Sequence, residues 1–131
     1  MVATNSLWVK NVEIPTSSHP EIKKLKRKTK VHNLHGNKIW DSSMVIIESL
    51  DEMDIINNKI LDLGCGWGAL THYLQSKGAY AVGMDADKNV KPYFDLMSSL
   101  MNVKPKFILQ DIFSKPLPLN FDTYIAVDVC F

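Results

Sequence analysis

From residue 59 onward, short apolar runs alternate with stretches where apolar side chains recur every three or four positions. The first run, Ile60-Leu-Asp-Leu-Gly64, predicts a strand over 60–64. A helical pattern follows over 68–77, and Gly78 stops it as the left-handed residue just past the helix. Tyr80-Ala-Val-Gly-Met-Asp85 predicts a second strand, and 90–102 a second helix with Val90, Tyr93, Phe94, Met97, Leu100 and Met101 along one broad face. Pro92 fits only the first turn of that helix. A third strand over 107–110 leads through a Pro-rich loop, Ser114-Lys-Pro-Leu-Pro-Leu-Asn120, to a fourth over 122–128. Apolar strands separated by helical patterns predict βαβ units and a parallel sheet.

Before residue 59 the pattern is weaker. Asp41 or Ser42 caps a predicted helix running to about Met53, with Val45, Ile46, Ser49, Leu50 and Met53 on its apolar face. Asn57-Asn58 breaks it. Residues 31–40 read as a loop ending in Trp40. Residues 21–30 are a basic run in which Ile22 and Leu25 are spaced by three, which fits a short helix with one apolar edge. The run reads as a solvated arm or as an electrostatic contact for nucleic acid or an acidic partner, and the absence of interleaved aromatics weakens the nucleic-acid case. Residues 1–20 show no sustained period and read as a poorly ordered lead-in. No repeat and no low-complexity segment interrupts the chain.

Composition narrows this picture. At 131 residues, with 46% hydrophobic and 22% charged positions, the chain is about one soluble domain. The net charge of +1 hides an asymmetry: residues 1–40 carry eight Lys/Arg against two Glu, and 41–131 seven against twelve Asp/Glu. The expected division is therefore an N-terminal extension with a basic segment over 1–40, ahead of a cofactor-binding domain over 41–131. Two cysteines, Cys65 and Cys130, make no disulfide framework, which points to a reducing, cytoplasmic setting. With His19, His32, His35 and His72 scattered, there is no zinc spacing. No secretory leader is evident, and no apolar run reaches the ~18 residues of a membrane span.

Ligands of an open parallel sheet bind beyond the carboxyl ends of its strands. Here those ends are Gly64, Asp85, Asp111 and Asp128, so a glycine turn and three carboxylates converge on one edge. Glycines at 64, 66 and 68 allow sharp turning and close approach of a ligand to the backbone, and the helix behind them offers its free N–H groups. Asp85, nineteen residues after Gly66, stands where a carboxylate accepts two ribose hydroxyls. That spacing implies a nucleoside without choosing between NAD and S-adenosylmethionine (SAM), since Gly64-x-Gly66-x-x-Ala69 satisfies the loose dinucleotide pattern. Asp62 beside the turn favours a cationic sulfonium and amine over a pyrophosphate. Alternatively, it faces inward and holds loop N–H groups. Asp111 is placed to accept an adenine amine while Ile112 covers the ring. No basic residue lies in 60–76, and no Gly-Lys-Ser/Thr ending makes a P-loop.

The motifs Leu61-Asp-Leu-Gly-Cys-Gly-Trp-Gly68, Gly83-Met-Asp-Ala-Asp87, Gln110-Asp-Ile112 and Asp122-Thr-Tyr-Ile-Ala-Val-Asp128 resemble those of class I, seven-strand SAM-dependent methyltransferases. The resemblance runs from Ile60 to Phe131. It implies a Rossmann-like, doubly wound α/β parallel sheet of which this chain supplies four of seven strands, in order 3-2-1-4, preceded by a basic arm and helix. The fourth strand would then be an exposed apolar edge, and the chain the N-terminal part of a longer protein or a truncated reading frame. The resemblance also implies S-adenosyl-L-methionine as cofactor, held by Asp62, Gly64, Cys65, Gly66, Gly68, Asp85, Ala86, Asp111 and Ile112.

A narrower similarity joins His19-Pro-Glu-Ile22, His35-Gly-Asn-Lys-Ile-Trp-Asp-Ser-Ser43, Asp85-Ala-Asp87 and Asp128-Val-Cys-Phe131 to a bacterial branch related to the non-SET protein-lysine methyltransferases. It implies that Trp40 walls the cofactor pocket, where it otherwise anchors the 41–53 helix as a core aromatic. It places Asp128 and Phe131 as the catalytic pair facing the acceptor, which implies a protein lysine amine. Phe131 replaces the commoner Tyr and Val127 a small Ala. The motif associated with nucleic-acid base amines, Asn/Asp-Pro-Pro-Tyr/Phe, is missing from the fourth strand end, which disfavours a base acceptor. Methyl transfer is an in-line displacement in which positioning supplies most of the catalysis. The rivals are a SAM-binding fragment or binding module acting through its basic arm, and an NAD-dependent oxidoreductase.

Overall fold

The computed structural model describes residues 6–9, 12–15, 18–29, 41–50 and 54–126. In chain order these form β1 (Ser6–Val9), β2 (Val12–Pro15), α1 (Pro20–Thr29), α2 (Asp41–Leu50), β3 (Lys59–Leu63), α3 (Ala69–Ser76) and β4 (Tyr80–Asp85). A single 3₁₀ turn over Lys88–Val90, α4 (Lys91–Met101), β5 (Lys106–Leu109) and β6 (Thr123–Ala126) complete them.

β3, β4, β5 and β6 make one parallel sheet in the order β5-β4-β3-β6, the expected arrangement. The register sets Asp62 opposite Gly83 on one side and Ile125 on the other. β3 is central, and four of its five residues are buried. Its two faces build different cores. Ile60 joins Leu70, Tyr73 and Leu74 of α3, Tyr93 and Met97 of α4, and Ile47 of α2. Leu61 and Leu63 pack with Met84 against Ile108, Ile112, Leu117 and Phe121. The connections β3–β4 and β4–β5 thus run as helices over one face, while the 110–122 loop returns over the other to place β6 beyond β3. The chain reverses its direction of winding at β3, and such a reversal is where open α/β sheets bind ligands.

Local chemistry sets the element ends. Gly78 (φ 96°) ends α3, and its carbonyl accepts the Asn57 N–H at 2.9 Å. Asn102 (φ 54°) ends α4. Asp87 caps the 3₁₀ turn, its Oδ1 accepting the Asn89 N–H, and Pro92 lies in the first turn of α4.

Two N-terminal expectations are corrected, and the helix with one apolar edge expected over 21–30 is observed. Residues 6–9 and 12–15 are not a formless lead-in: β1 and β2 pair antiparallel, and Ile14 is buried in the core of α3 and α4. Four-residue strands are too short to show a period, so tertiary burial supplied the order. α1 is docked rather than solvated, with Ile22 buried in the same core and Leu25 half-buried against it. His19 caps it, Nδ1 accepting the Glu21 N–H at 3.1 Å. In α2 the buried residue is Ile47, flanked by half-buried Ile46 and Leu50, while Val45 is 61% exposed. The stripe packed toward α3 keeps the expected Ile46 and Leu50 but takes Ile47 in place of Val45.

Candidate functional site

The site is the turn between β3 and α3. Gly64, Gly66 and Gly68 have φ of 67°, 56° and 83°, a left-handed run that L side chains resist. The Cys65 N–H donates to the Met84 carbonyl at 3.0 Å, and the Gly68 N–H to the Cys65 carbonyl at 2.9 Å. Asp85, at the end of β4, reaches across: its Oδ2 accepts the Gly66 N–H at 2.9 Å and its Oδ1 the Asp87 N–H at 2.9 Å. The carboxylate therefore closes the turn onto the adjacent strand end and keeps further lone pairs for a ligand. Ala86 beside it is exposed.

Asp62 lies under the turn and is 4% exposed. Thr71 of α3 donates its hydroxyl to Asp62 Oδ2 at 2.6 Å. Burial pushes the Asp62 carboxyl up to about 7, with the nearby charge of Asp85 adding to the rise and the Thr71 bond opposing it. Asp62 thus faces inward, as the alternative reading had it, but its main partner is a helix hydroxyl. The Cys65 thiol is pushed well up by burial and then by the charges of Asp62 and Asp85, so it stays a thiol.

A second polar lock was not singled out from the sequence. His72 is fully buried, with Nδ1 2.6 Å from the Gly68 carbonyl and Nε2 2.8 Å from the Ser98 hydroxyl of α4. A carbonyl only accepts, so Nδ1 carries the proton and Nε2 accepts from Ser98. Burial lowers the imidazole to about 4, keeping it neutral. The Phe94 ring packs on the His72 ring at 4.4 Å. The signal was present: residue 72 is four beyond Gly68, so its side chain leans back over the turn.

Crowding as well as φ fixes Gly68, and crowding alone fixes Gly83. A Cβ on Gly68 would lie 2.5 Å from Phe94 Cε2. On Gly83, in the middle of β4, it would lie 2.7 Å from Cys65 Sγ and 2.8 Å from Phe94 Cε2. Gly83 therefore lets the turn sit against the strand. Between the glycines, Trp67 points into the core and stacks on Tyr93 at 4.7 Å and 3°.

At the end of β5, Asp111 Oδ1 accepts the Phe113 N–H at 3.0 Å, forming an Asx turn. Ile112 is half-buried against Leu61, Leu63 and Met84. Asp62, Gly64, Cys65, Gly66, Gly68 and Asp85 thus share one end of β3 and β4, while Asp111 and Ile112 follow the neighbouring β5. Trp40, Asp128 and Phe131 lie outside the described residues. Among the described residues no cluster of His, Cys, Asp and Glu could hold a metal, and no helix is long and apolar enough to cross a membrane.

Residues 61–131, more than half of the chain, match the family model described as a methyltransferase domain. The chain belongs to the methyltransferase domain family. This sets aside the oxidoreductase reading. Among solved structures, the methyltransferase domain is similar to a T. thermophilus 16S rRNA methyltransferase in complex with AdoMet and guanosine, at 24% identity and TM-score 0.63. That match covers 74% of this chain and 28% of the other. It is also similar to magnesium protoporphyrin IX methyltransferase from Synechocystis PCC 6803 with bound SAM, at 19% identity and TM-score 0.60, covering 86% and 58%. These likenesses establish the methyltransferase fold. Among curated proteins, it is 27% identical over 102 residues to ribosomal RNA small subunit methyltransferase A of Mesomycoplasma hyopneumoniae (strain 232). That match covers 73% of this chain, and the chain spans 39% of the relative's length.

Proposed function

We propose that this chain binds S-adenosylmethionine at the β3–α3 turn and serves in methyl transfer. The observation that carries the reading is Asp85. Its carboxylate bridges Gly66 and Asp87 at the end of β4, above a turn flanked by Asp62 and carrying no cation from 60 to 76. A pyrophosphate would meet like charge there, whereas a sulfonium and an amine meet opposite charge. The residues fit the cofactor. Asp85 would take the ribose diol with Ala86 beside it. Gly64, Cys65, Gly66 and Gly68 would pass close to the methionine end, with Asp62 held beneath them by Thr71. Asp111 and Ile112 would meet the adenine, and Trp40 would wall the pocket. When bound, SAM supplies a methyl group on a good leaving group. The chain's own contribution is to hold that donor rigidly, because alignment is most of the catalysis.

Calorimetric titration with SAM tests the site. Asp85→Ala should weaken binding about 100-fold, roughly 2.7 kcal/mol for a lost charge-assisted pair of hydrogen bonds. Asp85→Asn, which keeps one accepting oxygen, should lose less. Unchanged affinity in a folded Asp85→Ala variant overturns the site.

Two acceptor readings follow. A protein lysine amine rests on Asp128-Val-Cys-Phe131, with Asp128 orienting the amine or drawing its proton and Phe131 lining its channel. An RNA acceptor is supported by the two curated matches, both named as ribosomal RNA methyltransferases. Transfer of radiolabel from SAM into a cell lysate, followed by separate nuclease and protease digestion, separates them. Label released by ribonuclease supports RNA, and label released by protease supports protein. No label from the folded chain supports a cofactor-binding piece without activity of its own.

A further inference from the structure

We propose that α1 is an electrostatic docking surface for RNA, which brings a polyanionic substrate to an otherwise acidic molecule. The proposal rests on the methyltransferase reading for its purpose, but its physical basis lies elsewhere in the fold. α1 seats itself with two side chains on one edge, Ile22 fully buried and Leu25 half-buried. That orientation is imposed by the core, and it leaves Lys23, Lys24, Arg27 and Lys28 exposed, with Lys26 half-buried. None of these five cations is ion-paired with a described residue. Over ten residues at a rise of ~1.5 Å each, α1 offers about 15 Å of basic surface. A double-stranded nucleic acid presents several phosphates over that length.

The remainder of the chain makes such a surface necessary. Residues 41–131 carry a net charge of −5, and the cofactor edge displays Asp85 and Asp111. A nucleic acid approaching that edge alone would be repelled, and steering by a basic patch on the same body offsets this. No aromatic residue is interleaved among the α1 cations, so the contact would be to phosphates and not to stacked bases. The docking is therefore insensitive to sequence and strongly dependent on salt. An acidic polypeptide would meet the same charges, but the ribosomal RNA names of the curated relatives favour RNA.

Fluorescence anisotropy of a labelled RNA hairpin, titrated with the whole chain across a potassium chloride series, tests the proposal. Poly-glutamate serves as competitor. The expected result is binding whose log–log salt slope corresponds to about four phosphates at ~0.7–0.9 each. The combined variant K23E, K24E, R27E and K28E should lose at least tenfold in RNA affinity at low salt while keeping its SAM affinity. A milder variant, K24Q with K28Q, preserves helix propensity and should flatten the slope by about 2. An unchanged slope and affinity in the folded milder variant overturns the proposal, as does poly-glutamate binding more tightly than RNA. Loss of SAM binding in the parent chain with RNA binding retained would instead overturn the cofactor reading alone.

Discussion

The glycine turn and α1 are held by opposite kinds of force. The turn is fixed by polar groups: Asp85 draws Gly66 to β4, His72 ties the Gly68 carbonyl to α4, and Thr71 holds Asp62 beneath. α1 is fixed by Ile22 and Leu25, and its charged groups are left for solvent or a partner. Directional bonds in a dry setting preserve a shape to a fraction of an ångström, as a site that must align a methyl donor requires. Apolar burial places a helix without engaging its polar surface, as a surface meant for another molecule requires.

The contrast can be broken most severely at the turn. Gly68→Ala adds a Cβ at φ 83° and 2.5 Å from Phe94 Cε2. Left-handed strain and overpacking together should cost about 3 kcal/mol or more, read as a fall in the urea midpoint. A loss below about 1 kcal/mol would show the turn to be soft. For α1 the corresponding change is Ile22→Ala, which should cost about 2–4 kcal/mol in the same measurement because the side chain is fully buried. A solvated arm would lose less than about 0.5 kcal/mol, so this variant decides whether α1 is docked.

The smallest and sharpest test is of pH. Asp62 is raised from 3.8 to about 7, so the folded chain holds a proton that the unfolded chain releases, and stability falls as pH rises through that window. His72 is lowered from 6.5 to about 4, so the unfolded chain holds the extra proton and stability falls as pH drops. Between about pH 4 and 6.5 the two slopes oppose each other. Relative to the parent chain, Asp62→Asn should therefore gain stability with rising pH in that window, and His72→Asn should lose it. Each difference should reach up to ~1.4 kcal/mol per pH unit. Thermal melts of the three proteins across the window check the signs, and differences of equal sign would refute the assignment of the two protonation states.

How much of this was legible in the chain depends on how local each feature is. The strands of the sheet, both of its helices and the glycine end of the first follow from short-range pattern, whereas the strand order came from the resemblance to the methyltransferase family. A continuous apolar run such as Ile60-Leu61 needs burial on both faces, and Gly78 has few conformational alternatives at a helix end. The glycine turn, Asp62 and Asp85 were identified by spacing alone. His72 and Ser98 were not, because they meet across 26 residues and neither belongs to a motif. Gly83 looked like one member of a motif, and only the packing of Cys65 and Phe94 shows why no side chain fits there.

By itself, then, the sequence determined the parallel α/β sheet and the acidic glycine turn at its switch point, since both arise from local periodicity and from the steric freedom of glycine. Tertiary structure alone decided the rest. It turned Ile47 rather than Val45 inward, recruited Ile14 and Ile22 into the core, kept His72 neutral by burial, and left the α1 cations facing outward. Each of these depends on which surfaces meet, a quantity that no window along the chain contains.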